Sequence, residues 1–375
     1  MSNQQLETAA TATAAKDREL RIVDCDAHNW PLPGDLAPYL SKRWQQYLET
    51  FGLRTPAEVG LVRAKPLASR TDAWSPNGNV PGNDPAFFRE DLLERHGIDL
   101  AILNSLAMAQ QSVVGGNQPV EFTAELMRAA NEWTQDYFLE ADDRLYSSIC
   151  CAFEDPQLAL PEVERWGADP RWLQVLFPFR TQRPIGNRKY WPISEVAENH
   201  DLLIAFHPGS MGNNLISGAG WPSFYYEDHV GYPGALMAQV ASLITEGVFE
   251  RFPNLKVVFQ EGGWSWTAPY SWRLDRAFEQ LRDEVPHLRR KPSEYMRDHF
   301  WFTSQPIEEP ERRGQFEEAL AVFGGADRLL YSSDYPHWDF DPPDQALPKS
   351  LDPAIAEAIM SRNAVRLYGF EGGGA

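Results

Sequence analysis

Short apolar runs recur along the chain, and longer amphipathic stretches separate most of them. The runs are four to eight residues long and do not alternate strictly between apolar and polar positions. This pattern is typical of strands that the protein covers on both faces. We predict eight such strands, at residues 21–26, 99–104, 146–153, 172–177, 202–207, 256–260, 300–303 and 328–333.

The longer stretches repeat their apolar residues with the period of an α-helix, and the first of them stops at Gly97, as helices commonly do. We predict helices at residues 85–96, 121–139, 193–200, 236–249, 310–323 and 352–367. Strands that alternate with helices indicate an α/β protein with a (β/α)8 TIM-type barrel. A doubly wound open sheet is the alternative, but the chain reads DCDAHNW after the first strand and lacks the Gly-rich phosphate turn of that fold.

The pattern indicates a single barrel domain over residues 21–370. Residues 1–20 and 371–375 carry no apolar pattern, so we expect flexible tails there. The connections after strands one and five, residues 30–84 and 208–233, are long and irregular. In a barrel both would leave from the rim at the carboxyl ends of the strands, where they could form the walls of a substrate pocket.

Composition narrows the range of partners. The chain has 375 residues, of which 53 are acidic and 34 basic, for a formal net charge of −19. This charge argues against nucleic acid and against an anionic membrane surface. The three cysteines lie in apolar runs, as buried free thiols do. We find no signal-peptide pattern at residues 1–20 and no run that approaches ~18 apolar residues, and we predict a cytoplasmic protein.

Histidine and carboxylate residues fall at the ends of the predicted strands. Asp26 and His28 close strand one at a spacing that directs both side chains to one face. His207 ends strand five, Glu261 follows strand six, and Asp334 ends strand eight. Because these strand ends open on the same rim of a barrel, we expect the side chains to meet there. Carboxylates and imidazoles together suit zinc, manganese or another divalent ion.

Four motifs in these regions follow one another along nearly the whole chain. They are VDCDAH at 23–28, IAFHPGS at 204–210, GVFERFPNLKVVFQEGGWSW at 247–266 and LLYSSDYPHWD at 329–339. The chain resembles the amidohydrolase superfamily, in the branch of aminocarboxymuconate-semialdehyde decarboxylase and the γ-resorcylate decarboxylases. The resemblance implies a distorted (β/α)8 barrel, a small-molecule substrate and a homodimer or higher homo-oligomer. It also implies one divalent metal ion, zinc or manganese, because residues 172–180 lack the lysine or glutamate that bridges two metals in other members.

Carried over to this sequence, the resemblance implies that Asp26, His28, His207 and Asp334 bind the metal. Asp26 departs from the histidine or glutamate that many relatives have. Glu261 stands where several relatives have a histidine that takes part in catalysis. It could bind the metal, act as a base or repel a carboxylate substrate.

The resemblance therefore implies a metal-dependent enzyme that cleaves a C–C bond, by decarboxylation, in a small aromatic or unsaturated carboxylic acid. Its catalytic candidates are Asp334, Glu261 and His229. Metal-dependent hydrolysis of a C–C, ester or amide bond with metal-activated water is the alternative, because Glu261 replaces the histidine. A non-catalytic binding barrel is the remote alternative.

Four further residues are candidates for substrate binding. Trp30 and Trp264 could form aromatic walls for a flat ring. Arg180, with Arg183 and Arg188 nearby, could clamp a carboxylate or form ion pairs with acidic residues. His337 could orient the rim or play a structural part. The same choice holds for His229, which could contact substrate or bond locally.

Overall fold

Eight short parallel strands form one sheet in which each strand pairs with the next along the chain. The structure, a computed structural model, describes residues 21–52, 68–107, 119–208, 218–312 and 314–370. The strands are β1 (Val23–Ala27), β2 (Leu100–Leu103), β3 (Leu145–Ile149), β4 (Trp172–Pro178), β5 (Leu203–His207), β6 (Val257–Phe259), β7 (Phe300–Thr303) and β8 (Leu329–Leu330). All eight overlap predicted strands, although β3 ends at Ile149 and not at residue 153.

The sheet closes on itself between β8 and β1. The amide of Cys25 donates to the carbonyl of Tyr331 at 3.0 Å, and the amide of Asp334 donates to the carbonyl of Asp26 at 2.9 Å. The amide of His28 then donates to the carbonyl of Tyr335 at 2.8 Å. Because these bonds join the last strand to the first, the predicted (β/α)8 barrel is confirmed.

Helices surround the strands. In the described part of the chain the α-helices are α1 (Pro33–Leu36), α2 (Lys42–Phe51), α3 (Pro85–Phe88), α4 (Val120–Thr134), α5 (Pro156–Gly167), α6 (Trp191–Asn199), α7 (Tyr225–His229), α8 (Tyr232–Thr245), α9 (Val248–Arg251), α10 (Thr267–Gln280), α11 (Pro292–His299), α12 (Gln315–Phe323), α13 (Pro353–Glu357) and α14 (Asn363–Tyr368). Wider π-helical turns extend α3 and α4 and join α13 to α14, at Arg89–Glu94, Gln135–Leu139 and Ala358–Arg362.

The structure corrects two of the predicted helices. The predicted helix 236–249 is two helices, α8 and α9, because Gly247 adopts φ +81° and ends the first one. The predicted helix 310–323 begins only at Gln315, after Gly314 in a left-handed conformation. The pattern also does not predict α5, α10 or α11. Helix α10 buries Thr267 and Ala268, but it packs Tyr270, Leu274 and Phe278 only partly against the core. The exposed Trp272 places an apolar residue on the outer face, which blurs the periodicity.

A row of phenylalanines on β5, β6 and β7 shows how the strands orient their side chains. Phe206, Phe259 and Phe302 lie opposite one another in register, and their rings stack at 5.2 and 5.3 Å between centroids. Phe302 also packs edge-on against Phe323 of α12, so the row faces the helical layer. Because successive residues of a strand point to opposite faces, His207 next to Phe206 points into the barrel.

The long connections contain short helices of their own. The one after β1 includes α1 and α2, and the one after β5 includes α7. Among the described residues, no helix has the length and apolar composition that a membrane crossing requires. The two predicted flexible tails lie outside the described residues.

Candidate metal centre

The strand β1 places two side chains at the centre of the rim. Asp26 and His28 are fully buried, and their closest charged atoms, Oδ1 and Nε2, lie 3.6 Å apart. Asp334, beyond β8, places Oδ1 2.9 Å from Nε2 of His28. The hydrogen bonds that close the barrel between β8 and β1 thus also bring these three residues together.

His207 completes the group from the end of β5. Its Nε2 lies 3.5 Å from Oδ2 of Asp26, and its ring meets that of His28 edge-on at 4.6 Å between centroids. One donor atom from each of Asp26, His28, His207 and Asp334 falls within a region where all four lie within 4.8 Å of one another. The structure therefore brings together the four ligands that the resemblance implied.

Backbone carbonyls fix the tautomers of both histidines. Nδ1 of His28 lies 2.7 Å from the carbonyl oxygen of Asn104, and Nδ1 of His207 lies 2.7 Å from that of Pro208. A carbonyl can only accept a hydrogen bond, so each Nδ1 carries a proton. When such a ring is neutral, its lone pair is on Nε2, which is the arrangement of metal-binding histidines.

Three donor atoms of the group make no hydrogen bond with any described residue. They are Oδ2 of Asp26, Oδ2 of Asp334 and Nε2 of His207, and all are buried. Buried polar atoms without a partner are costly, and a cation in contact with all three would remove that cost. The residues therefore fit a divalent ion with mixed nitrogen and oxygen ligands.

The pKa shifts of the four residues also indicate a site for a cation. Burial raises the pKa of Asp26 and raises the pKa of Asp334 well above its usual value, and nearby carboxylates add to both shifts. Burial lowers the pKa of His28 well below its usual value. Burial would also lower the pKa of His207, but Asp26 and Glu261 outweigh it and raise that pKa to about 9. Carboxylates this deeply buried call for a compensating positive charge.

Glu261 lies beside the group on the turn after β6. Its Oε2 is 3.0 Å from Nε2 of His207. Both Glu261 and Asp334 adopt left-handed backbone conformations, with φ of +51° and +58°. Such conformations cost a side-chain-bearing residue about 1–3 kcal/mol and concentrate at functional sites. The surrounding bonds thus hold two carboxylates of the rim in strained positions.

His229 of α7 reaches the same rim from the connection after β5. Its Nε2 lies 2.9 Å from Oδ2 of Asp339, and both groups come within 4.8 Å of a Glu261 oxygen. Burial would lower the pKa of His229, but the hydrogen bond to Asp339 raises it above its usual value. His337 bonds Oδ1 of Asp334 through Nδ1 at 2.7 Å. Both histidines therefore contact acidic residues of the rim.

The other predicted substrate-binding residues each contact neighbours outside the group of four. Arg180 forms a buried ion pair with Asp228, at 2.7 Å between Nη2 and Oδ1. Trp264 lies on the turn that carries Glu261, where it is buried edge-on against Phe316. Trp30 is partly buried, and its amide donates to the carbonyl of Gly82.

Two residues of the site escaped the sequence analysis. Asn104 follows β2 and contacts both Asp26 and His28, and Asp339 hydrogen-bonds to His229. Asn104 ends a predicted strand, so the strand-end rule would have found it if the search had included amides. Asp339 lies within the motif at 329–339, but its spacing from Asp334 gives no sign of its partner.

Comparisons with known proteins place this geometry in a family. A family model described as "Amidohydrolase" matches residues 23–370. The γ-resorcylate decarboxylase of Polaromonas sp. (strain JS666) is 26% identical over 274 residues, which cover 68% of this chain and 77% of that protein. The predicted resemblance to this decarboxylase branch is thereby confirmed.

Solved structures share the fold at lower identity. The 5-carboxyvanillate decarboxylase of Sphingomonas paucimobilis is similar with a TM-score of 0.69 and 19% identity, over 94% of this chain and 100% of that one. A dihydroxybenzoic acid decarboxylase from Polaromonas sp. JS666 is similar with a TM-score of 0.63 and 20% identity, over 93% and 96% of the two chains. That structure holds manganese and the inhibitor 2-nitroresorcinol.

Proposed function

Because this chain belongs to the amidohydrolase family, we propose that it is a metal-dependent decarboxylase of a small aromatic or unsaturated carboxylic acid. The observation that carries the proposal is the buried group of Asp26, His28, His207 and Asp334, three of whose donor atoms have no hydrogen-bond partner among the described residues. The relative named γ-resorcylate decarboxylase supports the reaction, and the manganese in a related structure supports manganese ahead of zinc.

A divalent ion in this position would supply a Lewis acid for substrate oxygens. In the reaction the bond between the carboxylate carbon and its neighbour breaks, CO2 leaves, and a proton takes its place on the carbon that stays. The chain must deliver that proton. Asp334, Glu261 and His229 are the candidates, because all three have side-chain atoms at the rim where the four ligands meet.

Aromatic side chains on the connections after β5 and β8 would provide a wall for a flat substrate. The ring of His229 lies 5.1 Å from that of Tyr232 and 5.5 Å from that of Trp338, between centroids. Nε1 of Trp338 also donates to the hydroxyl of Tyr225 at 3.4 Å. These four rings stand beside the acidic rim and suit a ring-bearing ligand better than Trp264 does.

The charge distribution favours binding of the substrate carboxylate near the ion. Arg180 already neutralises Asp228 in a buried pair, and breaking that pair would leave a buried charge uncompensated. The rim itself carries Glu261 and Asp339, which repel a second anion. The substrate carboxylate would therefore bind near the ion, while Arg180 stays paired with Asp228.

The test combines metal content with CO2 release. Protein purified without chelator or affinity metal is measured for metal by mass spectrometry, then assayed with Mn²⁺ or Zn²⁺ on aromatic acids that include γ-resorcylate and 5-carboxyvanillate. We expect one divalent ion per chain and CO2 release from at least one acid. Asp26→Asn should lose both.

Glu162→Gln is the matched control, since Glu162 is also buried and also accepts from an asparagine amide, that of Asn131, at 3.0 Å. It should keep the ion and the activity. A wild-type protein that binds no divalent ion after reconstitution would leave only the remote alternative, a barrel that binds without reacting.

Hydrolysis remains the second candidate, and the position of Glu261 favours it. A carboxylate beside His207 could take a proton from water and return it to a leaving group. Reaction in ¹⁸O-labelled water separates the two functions. Label in the product acid supports hydrolysis, whereas CO2 release with an unlabelled aromatic product supports decarboxylation. The homo-oligomer and the cytoplasmic location stay predictions.

A further inference from the structure

Asn104 contacts both metal-binding residues of β1. Its side-chain Nδ2 donates to Oδ1 of Asp26 at 2.7 Å, and its main-chain carbonyl accepts from Nδ1 of His28 at 2.7 Å. Asn104 is fully buried, so water does not compete for either bond. One residue thus holds an oxygen of one ligand and a nitrogen of another.

These two bonds determine which atoms face the centre. Because Oδ1 of Asp26 is taken by the amide, Oδ2 is the oxygen left without a partner. Because Nδ1 of His28 carries a proton, Nε2 keeps the lone pair. Rotation of either side chain would break a buried hydrogen bond, which fixes both ligands before any ion binds.

The orientation of the Asn104 amide is itself determined by other side chains. Its Oδ1 accepts from the hydroxyl of Ser148 at 2.5 Å and from Nε2 of Gln174 at 3.3 Å, so the amide nitrogen must face Asp26. Nε2 of Gln174 also donates to Ser148 at 2.8 Å, and Oε1 of Gln174 accepts from the hydroxyl of Tyr368 at 2.9 Å.

The side chains therefore form a continuous hydrogen-bond chain in which every donor points towards Asp26. It starts at Tyr368 on α14, passes through Gln174 on β4 and Asn104 after β2, and ends at Asp26. Gln174, Ser148 and Asn104 are buried, and in such surroundings a network with every member satisfied is rigid.

We propose that Asn104 is a positioning residue for Asp26 and His28. We also propose that the hydrogen bonds from Tyr368 through Gln174 connect α14 to the metal site. The inference rests on the proposed metal site and adds residues that touch neither ion nor substrate. Residues in this role typically change metal affinity by about 10–100-fold when they are replaced.

The main experiment compares two buried asparagines. Asn104→Leu keeps the branched shape of the side chain and removes its donor to Asp26. Asn131→Leu makes the same change at α4, where the amide bonds Cys150 and Glu162, away from the centre. Affinity for Mn²⁺ and for Zn²⁺ is measured on metal-free protein by competition with a chromophoric chelator, and thermal unfolding of the same samples reports folding.

We expect Asn104→Leu to lower the affinity about 10–100-fold and Asn131→Leu to leave it within about twofold, although both lose stability. Equal affinities in the wild type and Asn104→Leu would overturn the positioning role. An equal loss in Asn131→Leu would overturn it too, since general destabilisation would then explain the effect.

A milder pair covers the case in which Asn104→Leu does not fold. Tyr368→Phe removes the first donor of the chain, and Tyr270→Phe removes a similar phenol bond, to the carbonyl of Met237 at 2.7 Å, elsewhere in the fold. We expect about a twofold to tenfold loss of affinity in Tyr368→Phe and none in Tyr270→Phe.

Unchanged metal affinity in Tyr368→Phe would overturn the part of the proposal that concerns α14. Failure of the proposed function is a different result, because the wild-type protein itself would then bind no ion.

Discussion

Two regions of this barrel each contain a buried histidine whose Nδ1 bonds to a backbone carbonyl. At the rim His207 is 1% exposed and bonds the carbonyl of Pro208 at 2.7 Å. In the outer layer, where α11 ends, His299 is 5% exposed and bonds that of Leu255 at 2.8 Å. Burial and the Nδ1 bond are therefore nearly the same in both places.

The two histidines differ in the groups that surround the other ring nitrogen, Nε2, and in the direction of their pKa shifts. Asp26 and Glu261 surround Nε2 of His207 and raise its pKa to about 9, against the effect of burial. His299 stacks on the ring of Phe249 at 4.2 Å between centroids, and burial lowers its pKa. A buried histidine by itself indicates packing, whereas one that meets buried carboxylates without a hydrogen bond at Nε2 indicates an ion site.

The largest expected effect comes from the same substitution in both regions. Asparagine can replace the Nδ1 donor of a histidine but offers nothing at Nε2. His207→Asn should therefore lose metal affinity by more than about 100-fold and abolish turnover. His299→Asn should keep the ion and the activity and lose about 1–2 kcal/mol of unfolding free energy, from the lost ring stacking. Metal content, turnover and urea unfolding of both variants check this.

Retention of the ion by His207→Asn would show that the comparison of the two histidines does not identify the site. Loss of the ion in both variants would show that stability, and not ligation, controls metal content.

Glu261→Gln tests a neighbour of His207 that is not one of the four implied ligands. The substitution keeps the shape of the side chain and removes its ability to exchange a proton, so turnover should fall about 10²–10⁴-fold with the metal retained. Glu308→Gln is the control, because the Glu308 carboxylate accepts from the amides of Trp264 and Ser265 on the same turn, at 2.9 and 2.7 Å. It should affect stability and leave turnover unchanged.

Loss of the ion in Glu261→Gln would make Glu261 a ligand. Unchanged turnover would exclude it from proton transfer and leave that role to Asp334 and His229.

The smallest expected effect is the pH dependence of His299. Its pKa in the folded protein lies below the ordinary value of 6.5, so below that pH the unfolded chain binds more protons than the folded one. The contribution of His299 to stability is therefore present at neutral pH and lost as the pH falls through 6.5 towards the lower folded-state pKa. Urea unfolding of the wild type and His299→Asn at about pH 8 and about pH 5.5 measures it.

The difference in unfolding free energy between the two proteins should be smaller at the lower pH. A difference that grows on acidification would mean that His299 is charged in the folded protein, and the contrast with His207 would disappear.

The strands could be predicted from the sequence because burial on both faces requires compact apolar runs, such as Leu203–His207. Such a run is visible in the sequence without knowledge of its tertiary contacts. Helix α10 could not, because its core-facing residues beyond the first turn are only partly buried and the exposed Trp272 puts an apolar residue on its outer face. Long amphipathic helices with a wide apolar stripe, such as α4, leave a clear signal, and short or exposed ones do not.

For the site, the sequence by itself determined the residue types and their places at the ends of strands. Asp26, His28, His207 and Asp334 follow from that placement and from the resemblance. Parallel strands of a barrel must end on one rim, so residues far apart in the chain were expected to meet.

Only the tertiary structure decided what the neighbours of these residues are. The closure of β8 on β1 joins Asp334 to His28, and the left-handed turn at Glu261 directs its carboxylate towards His207. The hydrogen bonds from Tyr368 to Asp26 link side chains of α14, β4, the residue after β2 and β1 across long sequence separations. The physical reason is that hydrogen bonds and pKa values depend on distances between atoms, and only the folded chain sets those distances.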